Sequence, residues 1–130
     1  MYGGVVPIFI RQMLGRQPLT VHGDGQQQRS FTYVDDVVRA TLFAAAARLD
    51  GQVFNVASGL KITINDLARE LGAIAGYPLE VENLEPLPGD IRVFDVGHRR
   101  LADYGYQGEW LPFGDGLRRT VDWYRRQDGR

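Results

Sequence analysis

The sequence predicts a small mixed α/β (α+β) domain. Three observations predict it: apolar residues recur at helical spacing in several segments, short strand-like runs lie between them, and Gly- or Pro-containing turns mark most junctions. Residues 1–130 read as one domain, since no repeat, low-complexity tract or linker divides them.

The elements follow in chain order. Val5, Val6, Ile8, Phe9, Ile10, Met13 and Leu14 are apolar on nearly every face and predict a buried helix, with Pro7 in its first turn and Gly15 as a stop. Leu19-Thr20-Val21-His22 reads as a strand and Gly23-Asp24-Gly25 as a turn. Gln26 to Gln28 is a polar loop, and Ser30 to Val34 a short extended segment. Asp35 and Asp36 open the next helix, where carboxylates suit the positive end of the dipole, and Val37, Val38, Thr41, Leu42 and Ala45 recur at helical spacing along it. Asp50-Gly51 is a turn and Val53-Phe54-Asn55-Val56 a short strand, ended by Ser58-Gly59. Thr63 with Asp66 resembles a capping box. Ile64, Leu67, Ala68, Leu71, Ile74 and Ala75 then give the clearest amphipathic helix, closed by Gly76. Leu79 to Asn83 alternates as a strand, Pro86, Pro88 and Gly89 mark a loop, and Arg99 to Tyr104 reads as a short helix. The last helix starts near Gly114, with Leu117, Val121 and Tyr124 on one face.

Composition narrows the function classes. The net charge is −1, from 15 basic and 16 acidic residues, which gives no electrostatic reason to expect nucleic acid or an anionic membrane as partner. There are no cysteines, hence no disulfide, thiol nucleophile or cysteine-ligated metal. The same absence fits a cytoplasmic protein. No apolar run reaches the length of a membrane span, and residues 1–14 lack the basic start of a signal peptide. His22 and His98 lie far apart in sequence without carboxylates at ligand spacing, so both read as structural and no metal is expected. No strand–Gly-rich turn–helix unit for a dinucleotide is present: Gly23-Asp24-Gly25 leads into glutamines. The only lysine is Lys61, so no tyrosine has a lysine four residues on to lower its pKa for proton transfer. No catalytic residue is therefore assigned.

The segment Gly23-Asp24-Gly25-Gln26-Gln27-Gln28-Arg29-Ser30-Phe31-Thr32-Tyr33-Val34-Asp35-Asp36-Val37-Val38 resembles the G-D-G-x-x-x-R-(D/S)-F-x-Y-V-D-D-(V/L)-V segment of the NAD-dependent epimerase/dehydratase family, the extended short-chain dehydrogenases. Asn55-Val56-Ala57-Ser58-Gly59 is similar to the family's N-(V/L)-G-(S/T)-G, Pro88-Gly89-Asp90-Ile91-Arg92 to its P-G-D-(V/I)-R, and residues 116–124 to its closing helix. Asp95-Val96-Gly97-His98 departs from the family's D-(I/V)-S-K. The resemblance runs from about Gly4 to Arg126 and corresponds to the C-terminal, substrate-binding part of a UDP-glucose 4-epimerase-like member, without its Rossmann domain.

The resemblance implies a site for a UDP-, dTDP- or GDP-sugar. Arg29 and Arg92 match arginines that grip the diphosphate from two sides, and planar guanidinium groups suit phosphate oxygens; both also read as ordinary surface arginines. Thr20, Val21 and His22 match the strand beside the nucleobase, with His22 either stacking or merely ending the strand. Asp90 matches an acidic residue near the ribose, though Asp after Gly is also a common turn residue. The intact family enzyme would use NAD in the absent half, so this chain alone is expected to bind without turnover.

The rival reading is a standalone binding or assembly protein, a homo-oligomer or the partner of a separate Rossmann half. The nearly all-apolar first helix is the candidate for its exposed face. Met1 stands just upstream of the matching block, which leaves open a domain encoded alone, a split-gene product or a fragment.

Overall fold

The computed structural model describes residues 4–49, 51–93, 96, 97 and 99–128. The segments singled out above at residues 1–3, Asp50, Asp95 and His98 lie outside them. Three helices form the framework: α1 (Val5–Leu14), α3 (Ile64–Ala75) and α5 (Phe113–Asp128). They enclose Phe9, Ile10 and Met13 of α1, Leu67 and Leu71 of α3, and Leu117 and Val121 of α5. Leu19 and Val21 of β1 (Leu19–His22) complete this core. Each such side chain contributes roughly 1.5–3 kcal/mol by leaving water.

β1 pairs in parallel with β4 (Val81–Leu84), Leu19 against Val81 and His22 against Leu84. The two-residue strands β2 (Gln28–Arg29) and β3 (Ile62–Thr63) pair antiparallel. These short ladders, with α2 (Val34–Ala46) and α4 (Arg99–Asp103), give the mixed α/β architecture expected.

Local chemistry sets the boundaries. Thr63 caps α3: its hydroxyl accepts from the Asp66 amide at 3.0 Å and the Asp66 carboxylate accepts from the Thr63 amide at 3.3 Å, so aspartate completes the reciprocal cap. Gly76 ends α3 at φ +82°, where a side chain is disfavoured. At the end of α1 it is Arg16, not Gly15, that takes the left-handed conformation (φ 54°).

Four elements differ from expectation. α1 is not covered on all sides: Phe9, Ile10 and Met13 enter the core, while Val5 and Ile8 line a cavity described below. Among the described residues the Ser30–Val34 stretch has no strand partner; the β2–β3 ladder stops at Arg29, and Val34 already belongs to α2. Residues Val53–Val56 form no strand among the described residues and instead contact α4 and the turn after it, where Arg100 Nη1 donates to the Val53 carbonyl at 2.8 Å and the Phe54 ring meets Tyr104 edge-on. That path is fixed by Gln52 N–H donating to the Leu49 carbonyl at one end, and by Ser58 bonding Thr32 Oγ1 and the Phe31 carbonyl at the other. Finally, α2 buries Asp36 and Ala40, whereas Val34, Val38 and Leu42, an i, i+4, i+8 apolar stripe, are 62%, 50% and 64% exposed. Asp36 is held by Arg39 and by the Leu111 amide at 3.0 Å, which ties α2 to the chain leading into α5. It serves as a structural anchor at the helix start.

Candidate functional site

A cavity of 780 Å³ opens between α1, β1, the start of β2 and the loop around residues 87–91. Val5, Ile8, Phe9, Phe31, Leu87 and Ile91 supply apolar wall. Thr20, His22, Gln27, Arg29, Ser30 and Asp90 supply the polar groups. A mostly apolar cleft with a few placed polar groups is the usual form of a small-ligand site.

The strand side is pre-set. Gln12 of α1 grips Thr20 twice: its Nε2 donates to Thr20 Oγ1 at 2.8 Å and its Oε1 accepts from the Thr20 amide at 3.2 Å. The His22 ring is held by Nδ1 at 3.0 Å from the Glu85 carbonyl; since a carbonyl only accepts, Nδ1 carries the proton. Gln27 Nε2 donates to the His22 carbonyl at 2.9 Å, closing the loop onto the strand end. Gly25 makes this turn possible. Its φ is +70°, and a Cβ there would lie 2.1 Å from Asn65 Oδ1.

Arg29 occupies the wall opposite α1. Its Nη1 donates to the Gln28 carbonyl at 2.8 Å and to the Ile91 carbonyl at 2.5 Å, and its Nη2 donates to Asp90. Both partners of this ion pair are about 70% covered. Arg92 lies next to it in backbone terms, its carbonyl accepting from the Gln28 amide at 2.6 Å. Its guanidinium nevertheless lines a neighbouring cavity of 570 Å³ and pairs with Asp24 at 2.8 Å. The Gln26 amide, and then Arg92, hold the Asp24 carboxyl below its ordinary pKa. The expected site residues thus divide. Thr20, Val21, His22, Arg29 and Asp90 line one cavity, Arg92 the other, and His22 and Asp90 border both.

Sequence reasoning did not single out Gln27, Leu87 or Ser30. Gln27 was absorbed into a polar loop, and Leu87 between two prolines carried the one available signal, an apolar residue where a loop is otherwise polar. Ser30 Oγ is buried without a partner in the wall of the cavity. Such a hydroxyl costs about 1–3 kcal/mol until a ligand or a small shift satisfies it.

The glycine turn after β1 leads to β2 and not to a helix N-terminus, so no cradle of amides faces a pyrophosphate there. Among the described residues no group of three His, Asp or Glu side chains gathers as a metal site, and no helix is long and apolar enough to cross a membrane.

Residues 1–57 match the model of the NAD dependent epimerase/dehydratase family. A UDP-N-acetyl-alpha-D-glucosaminuronate decarboxylase of Bacillus cytotoxicus is 32% identical over 95% of this chain and 40% of its own length. The UDP-glucose 4-epimerase of Thermotoga maritima, solved with UDP-glucose, superposes with a TM-score of 0.83 at 33% identity, over 97% of this chain and 41% of that one. The UDP-glucuronic acid 4-epimerase of Bacillus cereus, solved with UDP-glucuronic acid and NAD, gives 0.83 at 28% identity, over 95% and 40%. The chain spans between 18% and 40% of the length of curated relatives it matches.

Proposed function

We propose that this chain, a relative by sequence and fold of the NAD-dependent epimerase/dehydratase family, holds the nucleoside-diphosphate part of a nucleotide sugar. The observation that carries this reading is the cavity between β1 and the 87–91 loop, which has Arg29 in its wall and whose relatives include enzymes solved with UDP-sugars.

The chemistry assigns each group a task. The nucleobase lies against Thr20, Val21 and His22, where the wall offers an imidazole face. The diphosphate, with about two negative charges, takes the guanidinium of Arg29. Asp90 stands within the same wall, paired with Arg29. Arg92 contributes from the adjoining cavity by turning from Asp24 toward the shared border at His22 and Asp90. NAD, bound in a family-length enzyme, would supply reversible oxidation of the sugar. This chain's residues grip and orient the substrate. Alone it does not turn substrate over, because its sequence carries no Tyr-x-x-x-Lys pair and its described residues form no glycine-turn cradle after β1.

Isothermal titration of the purified chain with UDP, dTDP, GDP and UMP tests the reading. Saturable binding of a diphosphate, weaker for UMP and weakened about tenfold or more by Arg29→Ala, is expected. Equal binding by the Arg29→Ala variant removes the diphosphate role. Turnover of a UDP-hexose by the chain with NAD alone removes the non-catalytic role.

A second reading, assembly with another chain or with a Rossmann half, rests on a separate observation. The apolar stripe Val34, Val38 and Leu42 of α2 faces solvent, at 62%, 50% and 64% exposure. An exposed apolar face of this kind invites a partner. The stripe replaces α1 as the candidate surface, since α1 is committed to the core and the cavity. Sedimentation equilibrium compares the chain with its Val38→Glu/Leu42→Glu variant. Self-association abolished by the variant supports this reading, and a strict monomer at high concentration removes the homo-oligomer.

A further inference from the structure

We propose that Asp90 is an internal competitor for the anion site: its carboxylate occupies the edge of Arg29 that a phosphate oxygen takes, and a ligand binds by displacing it. This rests on the diphosphate reading above and deepens it.

The geometry of the Arg29 donors carries the argument. Both Nη1 bonds go to backbone carbonyls, Gln28 at 2.8 Å and Ile91 at 2.5 Å, which fixes the guanidinium plane against the β2 end and the 91 position. What remains for an anion is the edge made by Nη2 and Nε, and Asp90 holds Nη2. A phosphate that binds with two parallel bonds needs that same edge. Charge balance points the same way. Among the described residues lining this cavity Arg29 is the one guanidinium and Asp90 the one carboxylate, so the occupied pair leaves the cavity without net positive charge. A dianionic group gains little there while Asp90 stays in place.

Asp90 is also placed to leave. It follows Gly89, which sits at φ +79° with open space around it, and precedes Ile91, whose carbonyl is pinned to Arg29. Rotation of the Asp90 side chain moves the carboxylate off Arg29 while the Asp90 amide stays bonded to the Leu87 carbonyl at 3.2 Å and the Ile91 anchor holds. The second cavity, which Asp90 also borders, offers it a polar destination. Asp90 thereby sets ligand selectivity: an anion must outcompete a carboxylate tethered beside Arg29, which favours a diphosphate over a single weak acid.

Calorimetric titration with UDP separates this role from simple ligand contact. Asp90→Asn keeps the size and removes the competing charge, and it is expected to tighten UDP binding by about three- to tenfold. Glu82→Gln, on the exposed strand β4, removes an equal charge away from the cavity and is expected to change affinity less than twofold. Adding Arg29→Ala to Asp90→Asn is expected to erase the gain. Weaker UDP binding by Asp90→Asn would make Asp90 a ligand contact and overturn the competitor role, while leaving the site itself standing. An equal gain in Glu82→Gln, or a gain that survives loss of Arg29, overturns it as well. Absence of UDP binding in every variant removes the site reading and the competitor with it.

Discussion

Replacing Asp36 by alanine is expected to destabilise the chain by about 2–3 kcal/mol, most of it from one hydrogen bond. Asp36 is fully buried, and its Oδ2 accepts from the Leu111 amide at 3.0 Å. A hydrogen bond to a charged acceptor is worth roughly 1.5–3 kcal/mol, and its loss leaves the partly buried Leu111 N–H unpaired. The ion pair with Arg39 adds little, because half of the Arg39 side chain is exposed and its donors return to water, so about 0.5 kcal/mol is a fair upper figure. Asp36→Asn keeps an acceptor for Leu111 and loses only the charge, which predicts a loss of about 1 kcal/mol. In a domain of this size 1 kcal/mol corresponds to roughly 3–6 °C in Tm, so the alanine variant melts about 6–18 °C lower. Urea unfolding followed by tryptophan fluorescence measures the difference, with an unchanged m-value as the sign that the fold is retained. A loss below about 0.5 kcal/mol for Asp36→Ala refutes the anchor. So does an asparagine variant as damaged as the alanine one.

Gly25→Ala is expected to cost about 1–3 kcal/mol and to shift amide resonances of Asn65 and Gln26, because the residue has φ +70° and its Cβ would collide with Asn65; an unchanged melting curve would contradict this. Thr63→Ala removes the α3 cap and is expected to cost about 1 kcal/mol by urea titration. The Thr63 hydroxyl, with Arg69 second, lowers the Asp66 pKa below its ordinary 3.8, so this carboxylate stabilises the fold above that value and the contribution is lost as pH falls through the lowered folded-state pKa. Asp66→Asn is accordingly expected to flatten the stability–pH curve below about pH 4, leaving the part contributed by Asp24, and an unflattened curve would refute the assignment.

The framework was legible where local chemistry and burial agree. Ile64, Leu67 and Leu71 mark one face of α3 and also fill the core, and Thr63, Asp66 and Gly76 mark its ends. α2 shows the limit of the same argument. Its periodicity identifies an apolar face, but periodicity carries no information on whether anything covers that face, and here Val34, Val38 and Leu42 meet solvent. Val53–Val56 likewise has the composition of a strand, and a strand needs a neighbour that the described residues do not provide. At the site, residue identity pointed to Arg29, Asp90 and the β1 strand, which share a cavity. It did not reveal that Arg29 and Asp90 pair with each other, or that Arg92 turns to Asp24, because those contacts span more than sixty residues of chain and depend on which side each loop presents.

The claim that this chain carries a nucleoside-diphosphate site is tested most directly by an amide NMR titration with UDP-glucose. The account predicts saturable shifts confined to Thr20–His22, Gln27–Ser30 and residues 87–91, and their loss in Arg29→Ala. Shifts centred instead on another surface, such as the groove between Tyr77 and Val81, or none at all in a well-folded sample, would contradict it.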